Sequence, residues 1–417
     1  MGIANHREFT AYIGIDWADK KHDACIQAAN SIEKEFVVIP HQVEALDEWA
    51  LSLKQRFGGP IAIALEIPRG PLVTALQKYD FLVLFPIVPS TLAKYRQAFS
   101  PSRAKDDPTD AELALDLILR HPERFSPLKP QSTTLRTLAG LVEQRRKLVD
   151  DRKRLTNRLR YSLKQYYPQA LEWFDRIGTP LFCDFIEQWP TVKQARRARK
   201  ATLVNFFHEH KLRRKALLEE RIQAIKSAVP LTEDEAIIIP YKLQVLALVE
   251  QLKILLKTIS QFDDQIQELA QQHNDYDLFD SLPGAGPNLA PRLLVAFGEQ
   301  RDLYQTAEEL QRFSGVAPVT ERSGNKTWVH WRYHCPTFLR QTFVEWAAQT
   351  INKSYWAGVY YRQQREKGAS YAMAVRSLAF KWIRILFRCW KNRQRYDESV
   401  YLKALERRGS NLVKQMA

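Results

Sequence analysis

Apolar residues follow two rhythms along this chain. Up to about residue 130 they gather in short runs, and beyond it they recur at steps of three and four. AYIGIDW (11–17), KHDACIQA (21–28) and EKEFVVIP (33–40) are separated by short polar turns, which predicts three strands in an antiparallel meander. HQVEALDEWALSLKQRF (41–57) has a helical period that Gly58-Gly59-Pro60 stops. PIAIALE (60–66) reads as a buried strand, GPLVTALQKY (70–79) as a short helix and FLVLFPIV (81–88) as the next strand. One helix is expected over about 90–98 and another after Pro108. Three strands, helix, strand, helix, strand, helix is the order of an RNase H-like α/β fold.

The remaining chain reads as mostly α. From 133 to about 170, Leu138, Leu141, Leu148, Leu155 and Leu159 hold heptad positions, and Arg145 and Arg152 interrupt the same seam. Over 241–272 the seam Val245, Leu248, Leu252, Leu255, Ile259, Phe262, Ile266 and Leu269 is unbroken. These two helices pair with each other as an antiparallel hairpin, or with another subunit. The segment 176–240 between them carries its own helices. LPGAGPNLAPRLLVAFG (282–298) looks like a helix-hairpin-helix element, 313–334 like a loop and a β-hairpin, and 371–396 like an amphipathic helix. Phe380, Ile383, Phe387 and Trp390 give that last helix an apolar face for the core. The expected domains are 1–130, a helical coiled-coil region 131–275 and a helical C-terminal domain 276–417.

A chain of 417 residues with 45% hydrophobic and 11% aromatic content can build a sizeable core, which excludes global disorder. Four cysteines without a CxxC exclude a disulfide framework or a four-thiol zinc site. MGIANHREFTAY lacks the apolar core of a signal peptide. The longest apolar helical stretch, 371–390, contains Arg376, Lys381, Arg384 and Arg388 and is no membrane span. A cytoplasmic location is expected. The net charge of +15 suggests a polyanionic partner, most simply nucleic acid. Residues 1–130 carry 15 basic and 17 acidic residues, 131–275 carry 25 and 18, and 276–417 carry 22 and 12. The surplus is thus confined to the last two-thirds, and the first third offers carboxylates instead.

Four carboxylates stand out. Asp16 ends the first strand, Glu66 ends the fourth, and Asp107 and Asp110 flank Pro108-Thr109 at a helix start. Strands one and four are neighbours in an RNase H-like sheet, so all four acids would converge and require a hard cation such as Mg²⁺. Taken singly, Asp107 is a good N-cap and Asp110 suits the helix dipole. Asp106 is the rival of Asp107. Two basic clusters, Arg196, Arg197, Arg199, Lys200 and Lys211, Arg213, Arg214, Lys215, lie beside Trp189, Phe206 and Phe207 and suggest a nucleic-acid surface. Gly284 and Gly286 permit a tight turn whose N–H groups would hold a phosphate, or an ordinary interhelical turn. Ser323-Gly324 lies at a polar hairpin tip flanked by Arg322, Lys326 and Arg332, which makes Ser323 either a nucleophile toward phosphorus or a turn serine. Ser314 is its rival. His330, His334 and Cys335 lie close together, but without a fourth ligand or a conventional zinc spacing. Arg384, Arg388, Lys391 and Arg395 form a basic ridge suited to a phosphate track.

IGIDWADKKHD (13–23), IALE (63–66), SRAKDDPTDAELA (102–114), LPGAGPNLAPRLL (282–294) and FSGVAP…RSGNK (313–326) occur in the order seen in DEDD transposases of bacterial insertion sequences. The chain resembles that "one-ten" family, which includes the Piv-type DNA invertases, along almost its whole length. The resemblance implies a RuvC-like N-terminal domain, a coiled-coil region and a C-terminal transposase domain. It implies Mg²⁺ held by Asp16, Glu66, Asp107 and Asp110, and Ser323 as a nucleophile that becomes covalently linked to DNA. It also implies a noncoding guide RNA, called a bridge or seeker RNA, that selects donor and target DNA. Dimers pairing into tetramers, with an active site shared between subunits, and association with the bacterial nucleoid during DNA recombination follow from it too. The sequence departs from the family in Glu66-Ile67-Pro68-Arg69-Gly70, where relatives have a small polar residue soon after Glu, and in the long 176–240 insert. The competing readings are a RuvC-like junction nuclease with water as nucleophile, and a non-catalytic nucleic-acid-binding protein.

Overall fold

In the computed structural model, which describes residues 9–66, 69–99, 107–410 and 412 without the side chains of Phe99 and Asp107, the chain divides into two compact units, 1–130 and 131–417. The first is built on a five-stranded mixed sheet of order β3-β2-β1-β4-β5. β1 (Ala11–Trp17), β2 (Lys21–Ala28) and β3 (Glu35–Pro40) form the expected antiparallel meander. After α1 (Val43–Phe57) the chain crosses to β4 (Ile61–Leu65), parallel to β1, and after α2 (Pro71–Leu76) to β5 (Leu82–Pro86), parallel to β4. α3 (Pro89–Phe99) and α4 (Asp107–Arg120) follow.

Both faces of the sheet are covered, which is why IAIAL in β4 is apolar throughout and wholly buried. Ile13, Ile15, Ile61, Ile63 and Leu65 pack on Leu46, Trp49 and Leu53 of α1 and on Leu72, Val73 and Leu76 of α2. The opposite face presents small residues. Ala62 and Ala64 meet Leu113, Ala114, Leu117 and Ile118 of α4. Gly14 lies beneath α4 so closely that a Cβ there would stand 2.0 Å from the Ala111 carbonyl oxygen. Lys34 also ties α4 to the sheet through Glu112 (2.8 Å) and Asp116 (3.0 Å).

In the second unit α5 (Thr133–Tyr166) and α11 (Glu235–Gln271) pair with each other, in antiparallel fashion. Leu138 and Val142 share one core with Ile266 and Ala270, while Leu159 and Leu163 share another with Val245, Leu248 and Leu252. The seam interruption at Arg145 is an ion pair across the hairpin, with Nε donating to Asp263 at 2.6 Å. α11 begins at Glu235, six residues earlier than its seam suggests, and runs through Pro240. The Asp234 carboxylate accepts the Ala236 N–H and caps that start.

The far end of the hairpin is closed by α6 (Gln169–Trp173), α7 (Pro180–Gln188), α8 (Val192–Arg197), α9 (Lys200–Glu209) and α10 (Lys215–Ser227). Its base is embedded in a helical body of α12 (Tyr276–Asp280), α13 (Gly286–Phe297), α14 (Ala307–Phe313), α15 (Thr337–Thr350), α16 (Tyr355–Glu366), α17 (Tyr371–Asn392) and α18 (Glu398–Arg407). A two-stranded hairpin, β6 (Val319–Ser323) and β7 (Lys326–His330), projects from that body. Four wholly buried tryptophans fix the body, and each indole N–H has an acceptor: Trp346 the Pro283 carbonyl, Trp356 the Tyr396 hydroxyl, Trp382 the Thr350 hydroxyl and Trp390 the Gly298 carbonyl. Among the described residues no helix is long and apolar enough to cross a membrane.

Candidate active site and nucleic-acid surfaces

The parallel register of β1 and β4 runs Gly14 to Ala64 and Ile15 to Leu65. Asp16 follows on β1, and Glu66 is the first residue past β4, so the two acids leave adjacent strands at the same end. Strand alternation sets Tyr12, Gly14 and Asp16 on the face that α4 covers, since Ile13 and Ile15 face the other way. Asp16 and Glu66 are partly exposed among buried neighbours. Across the antiparallel pair, Asp16 stands opposite Asp23 of β2, a buried carboxylate with Lys21 Nζ at 3.3 Å.

Asp110 lies near the start of α4 and is 2% exposed. A charge so buried requires a partner. Arg96 of α3 supplies it, with Nε donating to Oδ1 at 2.6 Å and Nη2 2.5 Å away. Asp107 begins the same helix with its side chain outside the described residues, where Asp106 also falls. Among the described residues no three His, Cys, Asp or Glu side chains form a group able to hold a metal ion. Asp16 and Glu66 are therefore brought to neighbouring strand ends and Asp110 onto the covering helix, but these three carboxylates do not meet at one point. The donor set itself, all carboxylate oxygens, fits a hard cation such as Mg²⁺.

Ser323 is the last residue of β6, paired with Lys326 across a turn made by Gly324 at φ 58°. The serine, Arg322 and Lys326 are all exposed. Ser314 is wholly buried, and its hydroxyl donates to the Gln311 carbonyl, so of these two serines Ser323 is the exposed one. The root of the hairpin is pinned by Trp331, over whose ring the guanidinium of Arg376 lies at 3.1 Å and that of Arg340 at 5.1 Å. His330 faces Glu321 across the hairpin at 3.4 Å.

Gly284 sits in the turn between α12 and α13, where a Cβ would meet the backbone of Gln349 in α15 at 3.0 Å. That close approach, together with a φ of 73°, accounts for the glycine. Gly286, which opens α13, has open space around it. Arg196, Arg197, Lys211 and Arg213 are exposed, but Trp189, Phe206 and Phe207 are not beside them as stacking platforms. They belong to the core of the insert, packed together with Phe182, Phe185 and Ile186 of α7 and Leu203 of α9. On α17, Arg384 and Arg388 are exposed, with Glu308 3.9 Å from Arg384. Lys391 and Arg395 of the expected ridge are ties within the body, to the Tyr304 carbonyl and to Asp277.

The residues that the sequence reading passed over are Gly14, Asp23 and Arg96. A glycine inside a strand pattern is itself a sign of close backbone approach. Arg96 left no local sign, since it meets Asp110 across the chain between two helices.

Residues 13–168 match the family model of the DEDD transposases of IS110, and residues 276–362 match that of the transposase IS116/IS110/IS902 family. Together the two stretches take in more than half of the chain. A Streptomyces coelicolor protein assigned as the transposase of the IS117 mini-circle is 28% identical over 93% of this chain and 96% of its own length. A Sinorhizobium fredii protein assigned as transposase y4uE is 31% identical over 51% of this chain and 60% of its own. The 44.8 kDa protein of insertion element IS116 from Streptomyces clavuligerus is 26% identical over 68% and 70%.

Proposed function

We propose, from the premise that this chain belongs to the IS116/IS110/IS902 family of transposases, that it cuts and rejoins DNA through a covalent serine–DNA intermediate under the guidance of a noncoding RNA. The observation that carries the catalytic part is the shared end of β1 and β4, where Asp16 and Glu66 leave the sheet beneath the helix that bears Asp107 and Asp110. These four residues would hold Mg²⁺, which when bound polarises the scissile phosphate and lessens its charge. Arg96 orients the Asp110 carboxylate through the bond from its Nε to Oδ1.

The Ser323 hydroxyl attacks phosphorus. Its new O–P bond forms as the bond to the leaving sugar oxygen breaks, and the serine proton passes to that oxygen through solvent. Attack by a second strand's hydroxyl reverses the step, rejoins DNA and frees the serine, so phosphodiester energy is conserved. Arg322 and Lys326 steady the charge that develops beside Ser323. The basic surplus of 131–417 supports binding of DNA backbone and of a guide RNA at Arg196, Arg197, Lys211, Arg213, Arg384, Arg388 and the turn at Gly284 and Gly286. Dimers that pair into tetramers would unite Ser323 of one subunit with the carboxylates of another.

Denaturing gels with labelled element-end DNA test this. Ser323→Ala is expected to bind DNA but form no covalent adduct, and Asp16→Asn to lose cleavage while still binding. Metal-dependent cleavage with no adduct in the parent protein would hand the nucleophile's role to water. Sequencing of co-purified nucleic acid tests the RNA: a chain purified with no discrete RNA species removes the guide.

A further inference from the structure

We infer that the outer face of α5 is a track for the phosphate backbone of duplex DNA, an inference that rests on the reading of the protein as a DNA recombinase. α5 and α11 are of similar length and share one seam, yet their charges are opposite. α5 carries ten basic and three acidic residues, and α11 three basic and five acidic. Packing does not require this difference, because the two helices meet mainly through apolar side chains, with the Arg145–Asp263 pair and the Ser162–Gln244 hydrogen bond set among them.

The excess lies where a partner can reach it. Counted in sevens from Leu138, Arg145, Arg152 and Leu159 on the seam, Lys147, Arg154 and Tyr161 fall on the side away from α11. Arg158 and Lys164 flank them, and Lys153 and Arg160 border the same side. All seven are exposed, Tyr161 at 62% and the Arg154 side chain at 71%. The acids on this side are few: Asp151 is held by Arg154, Asp150 is exposed and Glu143 is half-buried. From Lys147 to Lys164 the cations extend along about 26 Å of helix at 1.5 Å per residue. That length approaches one turn of B-DNA, about 34 Å.

The shape selects the partner. A band of cations along one helix suits a duplex backbone, which carries evenly spaced phosphates. Single-stranded RNA is held on several aromatic platforms, and Tyr161 is the one exposed aromatic of this helix.

The test uses the full-length protein and a fluorescent duplex DNA longer than the hairpin, with binding measured across a salt series. Replacing Lys147, Lys153, Arg158 and Lys164 by Gln is expected to lower the slope of log K against log salt by about 3.6, at about 0.9 for each phosphate that is no longer neutralised. Thermal melting is expected to stay as in the parent, since these side chains lie outside the core. Neutralising Lys257 on the other helix is expected to leave the slope unchanged. An unchanged slope in the four-site variant, with the parent still binding duplex, overturns this surface and leaves the recombinase reading intact. A parent that binds no duplex overturns both. Loss of binding to a structured RNA probe with duplex binding retained overturns the assignment to DNA.

Discussion

Replacing Gly14 by Ala is a small change that should displace one half of the proposed catalytic arrangement from the other. The added methyl would stand 2.0 Å from the Ala111 carbonyl oxygen and 2.4 Å from the Leu115 nitrogen, whereas ordinary contact begins at 3.4 Å. Both obstacles are helix backbone, so no side chain can swing aside. α4 has to retreat by more than an ångström, and it carries Asp107 and Asp110 with it while Asp16 and Glu66 stay on the sheet. Overpacking of this kind costs about 1–3 kcal/mol. A misplacement of about 1 Å in a reacting geometry costs on the order of 100-fold in rate. Melting temperature and cleavage of labelled element-end DNA read the two effects separately. The control is Gly140→Ala in α5, where the glycine is exposed and a Cβ meets nothing within 4 Å. There the same substitution should stabilise by about 0.5–1 kcal/mol, because alanine is the better helix former. A Gly14→Ala protein that melts and cleaves like the parent would refute the packing of α4 on β1 as the device that positions the acids.

Other outcomes follow from single contacts. Arg96→Met strands the buried Asp110 carboxylate and should cost about 3 kcal/mol in denaturant unfolding; an unshifted midpoint would show the pair to be dispensable. A double-mutant cycle of Arg145→Ala with Asp263→Ala should give a coupling below about 1 kcal/mol that weakens with salt, because both side chains are partly exposed. Burial pushes the thiols of Cys25 and Cys389 up to about 11 and that of Cys183 up to about 12, so near pH 8 their thiolate fractions are small. Native protein should therefore label first at Cys335, and rapid labelling at Cys183 before unfolding would contradict its burial.

Short apolar runs and heptads are local patterns, and what depends on them is written in the sequence: the strands that end in Asp16 and Glu66, the seam from Val245 to Leu269, and the hairpin tip at Ser323. The backbone can satisfy a period of two or of seven without reference to distant residues. Other features are decided only when distant segments meet. Ser314 and Ser323 have the same chemistry, and burial separates them. Trp189, Phe206 and Phe207 lie next to basic runs in the chain, but their rings turn into a core that the sequence does not outline. α15 is obscured in the sequence because Thr342 and Thr350 occupy its buried face, and the donors that their hydroxyls accept from, Arg292 and Trp382, arrive only in the folded body. Whether the seam closes on itself, and that Arg145 completes it, depends on Asp263 arriving from 118 residues away. Arg96 depends in the same way on Asp110. Burying a charge or a hydroxyl is costly unless a partner is supplied, and only the tertiary structure determines which partner that is.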